Sequence, residues 1–299
     1  MLTSTTSPDA SKPVLHWRHI LCVSALAALL VACSSGERSS TSRYSQAQDS
    51  APYQAIDVSA VKDAVPRVEP KSRYGNPASY VVLGKRYNTL ASSKGYKKRG
   101  IASWYGTKFH GHRTSSGESY DMYEMSAAHK TLPLPTYARV RNLRNGRSVI
   151  VKINDRGPFH ENRVIDLSYA AASRLGILGK GTGLVEVEAI DPNTYAADNP
   201  VRSVPASQPK LSRRAATTTN QAKLYLQLGA FSSRSNAERL QARLSSTELP
   251  GELHISEAVS AQKPVFRVRI GPLANVEAAD QLTRTLADQG ISSPHVVID

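Results

Sequence analysis

Three side chains able to move protons or steady a charge sit in three separate segments. They are Glu118 in SSGESYD, His129 in AAHKTLPL and Asp155 in INDRGPF. Two carboxyls and an imidazole, once gathered by a fold, can supply general acid–base chemistry. Each also has a plain structural reading. Asp155-Arg156-Gly157-Pro158 reads as a turn in which the Asp caps the backbone and pairs with Arg156. Glu118, after Ser116 and Gly117, reads as a solvated turn residue, and His129 as a satisfied structural imidazole. Asp166 reads as a helix cap rather than a catalyst. His110 and His112 have no acidic or Cys partner at ligand spacing, so no metal is expected.

The two cysteines narrow the chemistry further. Lys12, Arg18 and His19 precede the apolar run ILCVSALAALLVA, Ile20 to Ala32. That run has the length of a signal-peptide core and is short for a bilayer span. It ends in LVAC, so residues 1–32 read as a lipoprotein signal peptide with Cys33 as the lipidated first residue. The alternative is an ordinary secretory signal with a chance Cys. Cys22 would leave with the signal and Cys33 would carry lipid. No thiol would then remain for a nucleophile, a zinc site or a disulfide. Ser34 rather than Asp after Cys33 points to the outer membrane, facing the periplasm. The formal charge is +14. In an exported chain it argues against nucleic acid and leaves peptidoglycan and lipid headgroups as the polyanions, while a solvated cationic surface, scattered through linkers, explains most of it.

Certain elements must position these groups. Residues 33–79 are Ser-, Pro- and charge-rich without periodicity and read as a flexible tether. Tyr80 to Leu90 reads as a short strand and turn. Between 80 and 190, short alternating runs (IASWYG, YARVRNL, SVIVKIND, LVEVEAI) are separated by turns such as RNGR and DRGP. A helix is expected over Ser168–Leu175. Short strands with one or two short helices suggest a small barrel. Residues 191–220 read as a linker. Residues 221–299 contain an internal repeat at an offset of 42: Gly229 with Gly271, Phe231 with Leu273, Ala237 with Ala279, Leu240 with Leu282, Leu244 with Leu286. Each copy reads as strand, Gly turn and amphipathic helix. Together they suggest a pseudo-symmetric α+β sandwich with one sheet face covered by helices and the other free.

GIASWYGTKFHGHRTSSGESYDM, SAAHKTLPLPTYARVRNLRNGRSVIVKINDRGPF and RVIDLSYAAASRLG closely resemble the rare lipoprotein A family. LQLGAF and RVRIGP resemble the paired motifs of a SPOR domain, a module that binds peptidoglycan strands lacking stem peptides. The resemblance implies a mainly β plus α+β protein: a six-stranded double-psi β-barrel, then a small ribonucleoprotein-like α+β sandwich. It implies an endolytic lytic transglycosylase that cleaves denuded glycan at the division septum and leaves 1,6-anhydro-muramic ends. The alternative is an expansin-like septal lipoprotein that binds glycan without turnover. Division-site proteins are further possible partners, and no cofactor is implied.

Within that resemblance, Asp155, Glu118 and His129 occupy the positions active members use. Asp155 is the first choice for acid/base, since it directly follows the apolar strand SVIVKI and would be withdrawn from water. Glu118 would stabilise positive charge or orient the sugar, and the two carboxylates could exchange roles. His129 would hold a carboxylate by hydrogen bond or contact the substrate. Trp104 and Tyr105 read equally as core or as sugar-stacking rings. On the free sheet face of the terminal domain, Gln227, Arg267 and Arg269 are the glycan-binding candidates. An amide can bond sugar hydroxyls and a guanidinium can pair with lactyl carboxylates.

Overall fold

The structure, a computed structural model, describes residues 46–198 and 222–299 apart from 47, 55, 246, 261, 292 and 293. The signal segment with Cys33 and most of the 191–220 linker lie outside the described residues. No helix among the described residues is long and apolar enough to cross a membrane.

YVVLGKRYNTL forms a hairpin, Ser79–Val82 (β1) with Lys85–Asn88 (β2). Six strands follow: Lys97–Tyr105 (β3), Ser126–His129 (β4), Thr136–Asn142 (β5), Ser148–Asp155 (β6), Arg163–Ser168 (β7) and Gly183–Ala189 (β8). They close into a barrel in the order β3-β7-β4-β6-β5-β8. The β3·β7 and β4·β6 pairs are parallel and the other four antiparallel. This is the double-psi barrel the resemblance implies. Ala102, Ala127, Ala138, Val140, Val151, Ile153, Ile165, Leu167, Val185 and Val187 are fully buried. Small residues among branched ones suit the narrow interior of a six-stranded barrel.

The helix Tyr169–Leu175 (α1) buries its alanines and Leu175. Its N-cap is Ser168, whose hydroxyl accepts from the Ala171 amide at 3.2 Å. The cap reading of Asp166 is therefore corrected: Asp166 lies inside β7, two residues before the cap. The segment Pro192–Asp198 forms α2.

The tether reading of residues 33–79 changes over its described part, which begins at residue 46. Much of the described part lies along the barrel. The Ala64 amide donates to Ile150 O (3.0 Å), and the Ser72 amide to Leu134 O (2.9 Å). Asp49 accepts from the Gly106 and Lys108 amides, and Val58 is buried. The arm uses the barrel's backbone groups as partners, so it needs no periodicity of its own.

The terminal domain runs Leu224–Phe231 (β9), Arg234–Leu244 (α3), Leu253–Ser260 (β10), Lys263–Leu273 (β11), Val276–Asp288 (α4) and His295–Ile298 (β12). The sheet order β10-β11-β9-β12, all antiparallel, with βαββαβ connectivity, is the expected split-βαβ sandwich. The repeat partners Ala237 and Ala279, and Leu244 and Leu286, are all buried against the sheet.

Candidate active site

The loop from Gly111 to Tyr120 is pinned onto the end of β6. An isolated bridge joins Arg113 to Ser119. The Thr114 amide and hydroxyl both donate to the Glu118 carbonyl (2.8 and 3.1 Å), and the Ser116 amide donates to Asn154 O at 3.1 Å. This pinning brings two carboxylates to neighbouring positions of one strand end. Asp155 Oδ1 accepts three hydrogen bonds: from the Ser115 amide (2.7 Å), the Ser115 hydroxyl (2.6 Å) and the Arg156 amide (2.7 Å). Asp155 is half-buried, as expected of the residue after SVIVKI. Among the described residues, no hydrogen bond reaches its Oδ2.

Glu118 is exposed and held from below. Its two oxygens accept from Lys152 Nζ (2.8 Å) and Asn154 Nδ2 (2.7 Å), two alternate residues of β6. Lys152 also reaches Glu69 of the arm at 3.1 Å. Burial opposes the charge on Lys152, but Glu118 and Glu69 together hold its ammonium above the ordinary value. Burial likewise works against ionised Glu69, yet Tyr137, Arg67 and Lys152 bring its carboxyl down to about 2. The arm thus supplies one wall of the space around Glu118.

His129 bonds neither carboxylate. It is only 2% exposed, and its Nδ1 accepts from the Thr131 and Leu132 amides at 3.1 and 2.9 Å. The ring proton therefore sits on Nε2, which faces the Tyr96 hydroxyl at 2.9 Å. Burial, then the charges of Arg156, Lys98 and Lys130, lower its pKa to about 3. It is a neutral ring that shapes residues 129–132 and bonds neither carboxylate. Those residues matter because Arg156 reads them: its guanidinium donates to His129 O (3.0 Å) and Leu132 O (2.5 Å), and its Nε to Gly75 O (2.8 Å). Arg156 pairs with these carbonyls rather than with Asp155, while the Arg156 backbone amide does serve Asp155. Gly75 has φ +79°, and a Cβ there would stand 2.6 Å from Ser115 O. A side chain at 75 would push away the loop that holds Asp155.

Sequence reasoning missed the surroundings of Asp166. Ala128 of β4 pairs with Asp155 on one side and with Asp166 on the other, so two carboxyls flank one alanine on the same face. Ser103 donates a short hydrogen bond to Asp166 Oδ1. Burial pushes the Asp166 carboxyl up, against the pull of Ser103 and nearby cations. The polar residue in RVIDLS could have flagged it, since Asp seldom sits inside a short apolar strand unless paired. Tyr105 belongs to the core, stacked on Tyr120 with ring centroids 4.1 Å apart. Trp104 is half-buried and packs edge-on to Tyr169.

A family described as lytic transglycolase matches residues 97–188, and the SPOR domain family matches 220–297. The chain is 43% identical over 282 residues to the endolytic peptidoglycan transglycosylase RlpA of Pseudomonas aeruginosa, covering 80% of each chain. The chain belongs to the RlpA family. The RlpA of Vibrio cholerae is 40% identical over 261 residues, covering 87% of this chain and 90% of the relative. The crystal structure of the RlpA SPOR domain from Pseudomonas aeruginosa is 32% identical, with a TM-score of 0.24, covering 25% of this chain and 96% of that one.

In this RlpA family member the terminal sheet face is less free than expected. Gln227 and Arg269 are 7% and 8% exposed. Arg269 donates to Gln227 Oε1 at 3.4 Å and to Asp299 Oδ2 at 2.9 Å. Gln227 and Arg269 stand 42 residues apart, the repeat offset, and pair directly across β9 and β11. The internal symmetry brings its own equivalent positions together at the sheet centre, where they satisfy each other. Arg267 is half-buried.

Proposed function

We propose that the barrel is an endolytic lytic transglycosylase that cleaves peptide-free peptidoglycan strands. The observation carrying this reading is Asp155: one oxygen saturated by Ser115 and Arg156, the other without a partner among the described residues, beside a firmly held Glu118. Oδ1 is held rigidly, so Oδ2 is oriented before a sugar arrives. Asp155 protonates the glycosidic oxygen as its bond to the anomeric carbon of the muramic residue breaks. It then accepts the proton of that residue's C6 hydroxyl as the oxygen closes on the same carbon. No water is consumed, and the product end is 1,6-anhydro. Glu118, paired with Lys152, stabilises the positive charge that develops on the ring. His129 serves as a positioning residue, through the carbonyls that Arg156 holds.

A second reading of the proton donor rests on Asp166. A general acid benefits from a raised pKa, and burial raises that of Asp166 across Ala128 from Asp155. Asp166→Asn and Asp155→Asn, assayed side by side, decide between the two carboxyls.

The SPOR domain holds the same polymer and concentrates the protein at the division septum, while acylated Cys33 anchors it in the outer membrane. Digestion of amidase-treated sacculi with mass analysis of the products tests the activity. Anhydro ends are expected. Uptake of heavy-water oxygen at the reducing end would mean a hydrolase, and no product at all would mean a glycan binder without turnover. Cells carrying Cys33→Ala should release the protein from the membrane fraction.

A further inference from the structure

Barrel and terminal domain meet along one side of β3 and β7. The Arg163 guanidinium pairs with Asp280 of α4, with one bond at 3.1 Å, and Asn162 donates to Thr283 at 3.0 Å. Beside this contact lies a cavity of about 400 Å³ walled by both domains. The barrel contributes Lys85, Lys98, Lys130, Tyr87 and Phe159, and β12 contributes His295.

Cations dominate this space. Glu161 is the one carboxylate among the lining residues, and it sits 3.8 Å from Lys85. The Lys98 ammonium has no hydrogen bond or ion pair among the described residues. Lys130 donates to the Arg163 carbonyl at 2.7 Å, and more weakly to the His160 carbonyl at 3.4 Å. An ammonium has three donors, so at least one stays available. Burial, then repulsion from Lys85 and Lys98, lowers Lys130 to about 8. Partial burial, then Lys98, Arg269 and Arg267, pushes His295 down as well. Cations crowded together in excess of their counter-charge are relieved by a bound anion.

The two ends of the cavity give the anion a context. Tyr87 and Phe159 pack with Tyr80 at centroid distances of 5.4 and 6.3 Å, and the Arg156 guanidinium lies 5.9 Å above the Tyr80 ring. This aromatic wall leads from the cavity to the strand end that carries Asp155, and flat rings offer apolar contact to the C–H faces of a pyranose. At the other end His295 pairs across β12 and β9 with Gln227, on the terminal sheet face.

We propose that the junction cavity binds a carboxylate-bearing sugar of the glycan, so that one strand runs from the SPOR sheet face into the barrel cleft. This inference rests on the glycan reading above. The lactyl group of a muramic residue, freed of its peptide, supplies the carboxylate for Lys98 and Lys130. The terminal domain then feeds the cleft as well as localising the protein.

Binding to the full chain carrying Asp155→Asn, which removes turnover, tests this. The probes are peptide-free oligosaccharides from amidase-treated sacculi and chitooligosaccharides of equal length, which lack the carboxylate. Lys98→Glu, at an exposed position, should weaken binding of the first probe about tenfold, the scale of one lost charge-assisted contact. It should leave the second probe unchanged, and Lys98→Arg should retain the affinity. Lys130→Met should behave like Lys98→Glu in a chain whose melting is unchanged. Equal loss on both probes, or loss on neither, overturns the inference. So does a Lys98→Glu effect confined to anionic lipid vesicles. If the otherwise unmutated chain forms anhydro products and Lys98→Glu keeps its KM, the junction site fails while the activity stands. If no product forms, the binding comparison still decides the junction site.

Discussion

The barrel cleft and the terminal sheet face carry similar polar groups and use them differently. In the cleft, partners come from far apart in the chain: Ser115 serves Asp155, and Gly75 and Leu132 receive Arg156. Among the described residues that network leaves Asp155 Oδ2 open at the strand end. On the sheet face the partners are repeat equivalents, Gln227 and Arg269, and with Asp299 they satisfy one another. A site assembled from several loops can leave one acceptor open in a rigid frame. A site made by internal symmetry tends to pair its own members, so binding there must rely on half-buried neighbours such as Arg267 or displace existing bonds.

The largest expected effect tests the open acceptor. Asp155→Asn keeps the size and removes the titrating group, so turnover of peptide-free glycan should fall about a hundred- to ten-thousand-fold. Activity near that of the parent, with Asp166→Asn inert instead, would transfer the acid/base role across Ala128. Glu118→Gln should be impaired comparably if Glu118 steadies the ring cation, with melting little changed because the residue is exposed.

The closed part of the cleft should show up as stability. His129→Ala removes the acceptor of two backbone amides and opens a cavity, and should cost about 2–4 kcal/mol in denaturant unfolding. His129 has a pKa of about 3 in the folded protein against an ordinary 6.5. Its neutral burial stabilises fully above 6.5, and this contribution is lost as pH falls toward about 3, because only the unfolded chain takes up the proton. The slope is at most about 1.4 kcal/mol per pH unit. His129→Gln should flatten that slope, and an unchanged acid profile would show that the ring is not the titrating group. Asp166 has the opposite sign. Its raised folded pKa gives stability that is present in acid and lost as pH rises, so Asp166→Asn should melt no lower than the parent at neutral pH.

The terminal face sharpens the contrast. Arg269→Ala should lower the melting of this domain by about 1–3 kcal/mol, since it strips Gln227 and Asp299 of a shared donor. Arg267→Ala should weaken glycan binding with little change in melting. If Arg269→Ala instead leaves melting intact and abolishes binding, the pairing with Gln227 is not what holds that residue. Smallest of all, Ser168→Ala should cost about 1 kcal/mol through loss of the α1 cap.

Much of this architecture is written locally. SVIVKIND runs as one strand from Ser148 to Asp155, SYAAASRL as a helix with its cap, and the 42-residue repeat as two strand–helix units. In each, neighbouring residues decide the outcome through apolar spacing and capping. Two barrel strands left little signal: SAAH is four small or polar residues, and RVIDLS carries an Asp at a position only its strand neighbours explain. The sequence by itself also determined which residues could do acid–base work, because motif and residue type are local. Only the tertiary structure decided their division of labour. Whether an oxygen is saturated or open, and whether a ring is buried neutral, depends on groups tens of residues away. Ser115 lies on a loop folded onto β6, Glu69 on an arm with no periodicity, and Tyr96 on the approach to β3. No local pattern encodes such meetings, since they arise only when the barrel closes and brings β4 between β6 and β7.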